Sequence, residues 1–240
     1  MPLSAARVLL HPPKRYALSF DGENDYVETS SITIGPPITV EVMFKPSMIP
    51  QPRPYPMLIT NWIDDADNGF IFRLDNSDPP TLYVLLRKDG AVSAVISQTL
   101  TSSITWYYAA FTYDGSVLKL IVNESTTETN VSNALSSVTS RIRLGFKLAV
   151  DDGFLGYEAF ARIYSQALSA SEIQHNYFNP MSPILDGLVL WLKMEEGSGT
   201  TVHDYSGYGN DGTIYGASWT EITHDPVRTL SPVRVLSNMR

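Results

Sequence analysis

The sequence predicts an all-β protein, folded as an antiparallel sandwich or jelly roll. Most of its periodic segments alternate apolar and polar residues with a period of two, as strands with one buried face do. Asp89-Gly90 and Asp114-Gly115 each stand between two such segments, and this dipeptide is a strong hairpin signal. Successive strands without intervening helices are typical of sandwiches and jelly rolls.

The clearest predicted strand is ITVEVMFK, residues 38–45, in which one face carries Ile38, Val40, Val42 and Phe44. The other face carries Thr39, Glu41, Met43 and Lys45, so a half-buried strand is expected. Further strands are predicted at 16–20, 56–62, 69–75, 81–88, 91–98, 104–113, 117–122, 141–145 and 188–195.

One short helix is predicted near the end of this series. Ser169 and Glu172 have the spacing of a capping box, and Ile173 and Tyr177 then form an apolar stripe. Pro180 is expected to end the helix.

Composition excludes several classes of function. The chain has 240 residues with 25 acidic and 17 basic side chains, a formal charge of −8, which argues against nucleic acid as a partner. It has no cysteine, which excludes disulfides, thiolate metal sites and a cysteine nucleophile. No apolar run is long enough for membrane insertion. Arg7 interrupts the first apolar stretch, so no signal peptide is recognisable.

Several segments resemble, in the expected order, a laminin-G-like domain of the concanavalin A-like lectin/glucanase superfamily. YALSFDGENDYV (16–27) and ITVEVMFKP (38–46) are similar to its opening strands. ITWYYAAFTYDGSVLKLIVN (104–123), RIRLGF (141–146) and ARIYSQALSASEI (161–173) are similar to its later strands and capped helix. The resemblance implies a concanavalin A-like, two-sheet antiparallel jelly-roll sandwich. Together with the capped helix and the segments at either end, it predicts such a sandwich with one short helix and extended termini.

The segment 187–219 also resembles this family, but there it normally precedes the YALSF strand, whereas here it comes last. Its apolar content is too small for it to fold alone. The chain is therefore circularly permuted, or the segment completes the sandwich of a neighbouring subunit, or it is a degenerate second repeat. We expect an N-terminal arm at 1–15, a sandwich at 16–219 and an extended tail at 220–240.

Self-association is predicted from two segments. Leu188, Leu190 and Leu192 would close a sheet of this subunit or of its neighbour. The tail repeats a hexamer, PVRTLS (226–231) then PVRVLS (232–237), and its apolar residues cannot form a core of their own. The tail residues expected at the assembly contact are Val227, Leu230, Val233 and Leu236.

No pattern of catalytic residues is recognisable. A retaining glucanase needs two carboxylates on alternate positions of one strand, about 5 Å apart. Here Glu195 and Glu196 are adjacent and Glu41 stands alone. The sequence therefore predicts a protein that is not an enzyme.

Candidate binding residues are fewer and less specific. Four aromatic side chains near strand ends could stack on sugars, although packing between strands is the alternative: Tyr55, Trp62, Tyr83 and Tyr108. Trp106 is expected in the core instead. The oxygen-rich stretch at 64–69 makes three residues candidates for binding Ca²⁺, with a simple acidic turn as the alternative: Asp64, Asp67 and Asn68. Asn123 and Asn130 begin N-glycosylation sequons.

Two functions follow from these observations. The first is a non-enzymatic structural subunit of a virion or surface filament that displays a lectin-like jelly roll. The alternative is a monomeric adhesion module that binds cell-surface glycans. Both interpretations place the protein outside the cell or on a virion surface.

Overall fold

Two antiparallel sheets pack face to face in the computed structural model, which describes residues 15–62, 67–146 and 152–222. This confirms the predicted jelly-roll sandwich, and the described residues contain a single short helix. Both Asp-Gly pairs form hairpin turns, between β7 and β8 and between β9 and β10 of the strands named below. No helix among the described residues is long and apolar enough to cross a bilayer.

The strands of the first half are β1 (Arg15–Asp21), β2 (Tyr26–Thr29), β3 (Ile32–Ile34), β4 (Ile38–Pro46), β5 (Met57–Thr60), β6 (Gly69–Leu74), β7 (Thr81–Lys88), β8 (Ala91–Thr99) and β9 (Tyr107–Tyr113). The second half contributes β10 (Val117–Val122), β11 (Ser125–Asn130), β12 (Val138–Ser140), β13 (Arg143–Leu144), β14 (Leu155–Tyr164), helix α1 (Ala170–Phe178), β15 (Leu188–Leu192), β16 (Thr201–Val202), β17 (Gly212–Tyr215) and β18 (Ser218–Ile222).

The first sheet, called sheet I, has the strand order β11-β10-β9-β4-β14-β1-β18, and β15 pairs with the second half of β14. The second, sheet II, has the order β16-β17-β2-β13-β5-β6-β7-β8. A short pair, β12 and β3, lies apart from both. The main core fills the space between the sheets and is rich in aromatic contacts, such as Phe111 against Phe70 and Phe72.

Helix α1 begins as the sequence predicts and covers the outer face of sheet I. Ser169 is its N-cap, and Glu172 completes the capping box. Tyr177 packs edge-on against Tyr108 of β9, with ring centroids 5.4 Å apart. A second core cluster of buried residues therefore forms beneath the helix.

This covering corrects one expectation from the sequence. Strand β4 is buried on both faces rather than half-buried. Thr39 donates to the carbonyl of Gln166 at 2.8 Å, and Glu41 is fully buried. The polar residues of β4 bind polar groups of the helical segment instead of water. The alternation of apolar and polar residues in β4 therefore looks like that of a strand with one solvent-exposed face, although both faces are buried.

The displaced C-terminal segment supplies strands to both sheets of its own chain. Strand β15 pairs with β14, and β18 pairs with β1. Strand β17 pairs with β2 in sheet II, with Ile214 opposite Val27. Leu190 and Leu192 of β15 are fully buried in the main core, and Leu188 is nearly so. These leucines thus contact their own chain and present no surface to another copy.

Candidate functional site

The outer face of sheet II is open, unlike the helix-covered face of sheet I. Along β7 the side chains of Leu82, Val84 and Leu86 point into the core and are fully buried. The alternate residues, Tyr83, Leu85 and Arg87, are only partly buried, so they form the outer face. Among the described residues no helix packs over them. We call this surface the sheet II face.

Two tyrosines of the sheet II face hold an arginine between them. Arg73 of β6 lies opposite Tyr83 of β7 in the strand register. The guanidinium carbon of Arg73 is 4.8 Å from the ring centroid of Tyr83 and 4.7 Å from that of Tyr55. Tyr55 comes from the loop before β5 and is 49% exposed, so one side of its ring remains available for stacking.

The pKa of Arg73 is affected by this position. Burial lowers the pKa of its guanidinium, and coulombic interactions with the phenol groups of Tyr83 and Tyr55 and with the carboxylates of Asp75 and Asp152 oppose that shift. Its Nη1 donates to the carbonyl of Leu74 at 2.9 Å. The side chain is therefore held in one orientation by both its rings and a backbone bond.

A second aromatic–arginine pair lies further along the same face. The guanidinium carbon of Arg87 is 4.2 Å from the ring centroid of Trp62, which follows β5. Arg87 Nη2 donates to the carbonyl of Gly90 at 2.7 Å. Arg87 is four positions after Tyr83 on β7, which corresponds to about 13 Å along a strand.

Apolar side chains connect the two pairs. Ile71 of β6, which is buried, lies opposite the partly exposed Leu85 of β7, which lies opposite Val95 of β8. Val95 is 51% exposed. The face thus combines flat apolar surface with planar donors at either end, which is the composition of a site that binds a ring-shaped polar ligand.

A third aromatic cluster lies toward the other edge of sheet II. Tyr215 stacks on Tyr26 with centroids 4.5 Å apart, and the guanidinium carbon of Arg143 is 4.6 Å from the Tyr26 centroid. Arg143 donates to Glu28 at 2.6 Å, so its charge is neutralised locally. This cluster therefore differs from the first two in its electrostatics.

Three of the four aromatic residues singled out from the sequence meet on the sheet II face: Tyr55, Trp62 and Tyr83. The prediction for Tyr108 is wrong, because its ring is fully buried beneath α1. Its hydroxyl donates to Oε1 of Glu41 at 2.7 Å, and burial raises the pKa of this tyrosine well above its ordinary value. Trp106 is buried, as expected.

The carboxylates considered for catalysis are engaged elsewhere. Glu41 accepts hydrogen bonds from Tyr108, Asn176 and Arg162, and it is inaccessible. Glu195 lies 3.6 Å from Arg15, and Glu196 accepts from the backbone N–H of His203 at 2.8 Å.

The candidates for metal binding are only partly described. Asp64 lies outside the described residues. The Asp67 carbonyl accepts from the backbone N–H of Gly90 at 2.9 Å, and the Asn68 side chain faces Asp89, so both sit beside the β7–β8 turn. Among the described residues no cluster of three or more acidic or histidine side chains could hold a metal ion. Calcium binding stays a prediction.

The remaining predicted residues fall in different places. Asn123 is in the turn between β10 and β11, where its side-chain oxygen accepts from the Tyr108 N–H at 3.1 Å. Asn130 ends β11 and is exposed. The tail residues Val227, Leu230, Val233 and Leu236 lie outside the described residues.

A groove of about 410 Å³ lies between α1 and strands β9 to β11. Its wall includes Lys119, Glu124, Ile173 and Tyr177. It is separated from the sheet II face by the whole sandwich, because it lies on the outer side of sheet I.

Sequence reasoning missed Arg73 and Arg87. Each occupies an alternate position of a strand, where a cation is typical of an ordinary solvent-facing residue. The sequence does contain a pattern that points to them. Strands β6 and β7 each place a cation and an aromatic or apolar residue on the same outward face, as in Tyr83-x-Leu85-x-Arg87.

Comparisons with known proteins agree with this architecture. Residues 21–174 match the family described as the concanavalin A-like lectin/glucanases superfamily. The sequence has no significant match among curated proteins.

Three solved structures are similar in fold. A candidate carbohydrate-binding protein from Bacteroides ovatus gives a TM-score of 0.64 at 17% identity, over 89% of this chain and 62% of that one. A heptameric SAP-like pentraxin from Limulus polyphemus gives 0.56 at 15% identity, over 68% of this chain and 81% of that one. The enzymatically active domain of tailspike protein 2 from bacteriophage CBA120 gives 0.57 at 17% identity, over 78% of this chain and 32% of that one. Identities this low show a shared fold.

Proposed function

Because the chain belongs to the concanavalin A-like lectin/glucanase superfamily, we propose that it is a carbohydrate-binding module whose ligand lies on the sheet II face. One observation carries the proposal: Tyr55 and Trp62, which flank β5, and Tyr83 of β7 lie on the one broad sheet face that no described helix covers. Aromatic rings offer flat apolar surface to a sugar, and adjacent guanidinium groups donate hydrogen bonds to its oxygens.

The similarity to a candidate carbohydrate-binding protein supports this proposal at the level of fold. The module is proposed to bind without cleaving its ligand. Glu41, Glu195 and Glu196 are each held by other groups of the protein, and Glu41 is out of reach of any ligand. Display outside the cell or on a virion surface is part of the same proposal, since a glycan ligand would be met there.

A role as a self-assembling virion or filament subunit is the second candidate. It is favoured by the two apolar hexamers at 226–237, whose regular valines and leucines need a surface on which to be buried. The two roles are compatible, since an assembled subunit can carry a glycan-binding face.

A glycan array tests the binding proposal. The full chain and a Tyr83→Ala variant are compared, and Tyr208→Ala is the matched control. Tyr208 is 70% exposed but lies in the loop between β16 and β17, at the far edge of sheet II from β7.

We expect specific glycans to bind the unmodified chain and the control equally. Tyr83→Ala should bind them several-fold more weakly, because an aromatic contact contributes about 0.5–1.5 kcal/mol beyond the area that it buries. Thermal melting confirms that each variant is folded. Binding that is equally strong in Tyr83→Ala would place the ligand elsewhere and contradict the proposal.

A further inference from the structure

The arginines of the described residues divide into two groups. Five of them have a glutamate partner: Arg15 with Glu195, Arg53 with Glu23, Arg141 and Arg143 with Glu28, and Arg162 with Glu41. The other two, Arg73 and Arg87, have no carboxylate within 4.0 Å among the described residues. Both lie on the sheet II face, and both rest against aromatic rings.

These two guanidinium groups are held in place but retain unused donors. Arg73 is fixed between two tyrosine rings, and its one hydrogen bond within the described residues goes from Nη1 to the Leu74 carbonyl. Arg87 is fixed over Trp62 by its Nη2 bond to Gly90, and its buried Nε has no hydrogen-bond partner in the described part of the chain. The buried Nε of Arg87 cannot reach a ligand, but Nη2 of Arg73 and Nη1 of Arg87 make no hydrogen bond in the described part of the chain. A guanidinium has five N–H donors, so each group can still offer donors to a ligand.

The acidic groups nearest to Arg73 do not use that edge. Asp75 and Asp152 act on Arg73 only at longer range. The Asp75 carboxylate instead accepts from the Ser77 hydroxyl at 2.6 Å and from the Thr81 N–H at 2.8 Å. Its negative charge is therefore satisfied by the turn that precedes β7.

We propose that the glycan held on the sheet II face is acidic, and that Arg73 and Arg87 each bind one of its carboxylate or sulfate groups. This inference rests on the proposed function and names the ligand class. The strand register places Arg73 opposite Tyr83, four residues from Arg87. The two Cα atoms are thus about 14 Å apart, from a 3.3 Å rise along the strand and one strand spacing of about 4.8 Å.

Arginine suits this role for a geometric reason. Its planar fork forms two parallel hydrogen bonds to a carboxylate or sulfate, and it stacks on aromatic rings at the same time. The rings pre-organise the fork, so less side-chain entropy is lost when the anion binds. The formal charge of −8 on the whole chain acts weakly here, because charges beyond about 8 Å are screened at physiological salt.

Binding to three soluble polymers tests the inference. Unmodified dextran is the neutral polymer, dextran sulfate adds sulfate groups to the same backbone, and polygalacturonate carries carboxylates. The proteins compared are the full chain, Arg73→Gln, Arg87→Gln and the double variant. Lys119→Gln is the control, because it removes one positive charge on sheet I, where Lys119 pairs with Glu128 in an exposed site. Affinities are measured at 150 mM NaCl.

We expect at least one acidic polymer to bind tenfold or more tightly than dextran. Each arginine variant should lower that affinity about tenfold, and the double variant should lower it further, because charge-assisted hydrogen bonds are the strong ones. Lys119→Gln should stay within twofold of the unmodified chain. Arg73→Lys keeps the charge and loses the planar fork, so its affinity should lie between those of Arg73→Gln and the unmodified chain. A reduced affinity in folded Arg73→Lys also shows that the loss does not come from unfolding. The polymer that binds distinguishes sulfate from carboxylate.

Two results would overturn the inference. One is equal affinity for neutral and acidic polymers. The other is an acidic-polymer affinity that falls no further in the double arginine variant than in Lys119→Gln. If neutral glycans on the array still bind and Tyr83→Ala weakens them, the carbohydrate-binding proposal stands while the acidic specificity fails. If neither array nor polymers bind, both fail.

Discussion

Arg162 donates from Nη1 to Oε2 of Glu41 over 2.8 Å, and both side chains are fully buried between sheet I and α1. The other oxygen of Glu41 accepts from the Tyr108 hydroxyl and the Asn176 amide. Arg162 also donates to the Pro180 carbonyl beyond the helix. One ion pair thus fixes two strands, the helix and the segment that follows it.

Replacing Arg162 with methionine should destabilise the protein strongly. The change leaves Glu41 as a buried charge without its cation, which costs about 3–5 kcal/mol. Urea unfolding measures the loss. Lys119→Met breaks the exposed pair with Glu128 and should change the free energy of unfolding by less than about 1 kcal/mol. Equal midpoints for the two variants would show that the buried pair contributes nothing.

Glu158 should make stability depend on pH. It is fully buried on β14, opposite Leu18 and Phe44, and neither carboxylate oxygen has a hydrogen-bond partner in the described part of the chain. Burial raises its pKa well above the ordinary value of 4.5. Above pH 4.5 the folded protein therefore keeps a proton on Glu158 that the unfolded protein releases.

The direction in which stability changes with pH follows from this proton. The stability that Glu158 contributes is complete below its ordinary pKa and is lost as pH rises toward the folded pKa, by up to about 1.4 kcal/mol per pH unit. Glu158→Gln cannot ionise, so its stability relative to the unmodified chain should increase between pH 4.5 and 7.5. Urea unfolding at three pH values measures the difference, with exposed Glu128→Gln as control. A difference that is constant with pH would contradict the prediction.

Deleting residues 187–240 should prevent folding. The deletion removes the four strands β15 to β18, and so opens the core of both sheets. Leu190, Leu192 and Ile214 are among the buried side chains lost. Each contributes about 1.5–3 kcal/mol, against a typical total of about 5–15 kcal/mol. A chain ending at Ile222 keeps all the described strands and should melt like the full chain. A soluble 1–186 fragment with an unchanged melting temperature would disprove this.

The tail beyond Ile222 is predicted to mediate self-association. Light scattering on the full chain and on a chain ending at Ile222, at matched concentration, should give a larger mass for the full chain. The apolar residues of the two hexamers would lose their burial surface in the truncated form. Identical masses would leave the hexamers without a role in assembly.

No glycosidase activity is expected on dextran or polygalacturonate. The glutamates that the sequence offered are engaged within the protein, and a retaining mechanism needs two carboxylates about 5 Å apart. Release of reducing sugar is the measurement. Sustained release that Glu195→Gln abolishes would prove the protein to be an enzyme.

Most of the fold could be predicted because alternation records which face of a strand is buried, and because Ser169 and Glu172 encode their helix start locally. The burial of Glu41 could not, since its partner Arg162 lies 121 residues away in sequence. The same holds for the site. Aromatic residues could be selected from the sequence by their type alone, whereas Arg73 and Arg87 became distinctive only when the fold showed that they have no carboxylate partner among the described residues.

The pairing of β1 with β18 joins the first and last described strands, with Arg15 opposite Ile222. A ribosome making this chain must therefore release almost the whole described sequence before sheet I can be finished. Until then the unpaired edge of β1 and the open core are exposed to other nascent chains and to chaperones. At about 5–20 residues per second this exposure lasts on the order of ten seconds or more, and an unpaired strand edge is a template for aggregation during that time.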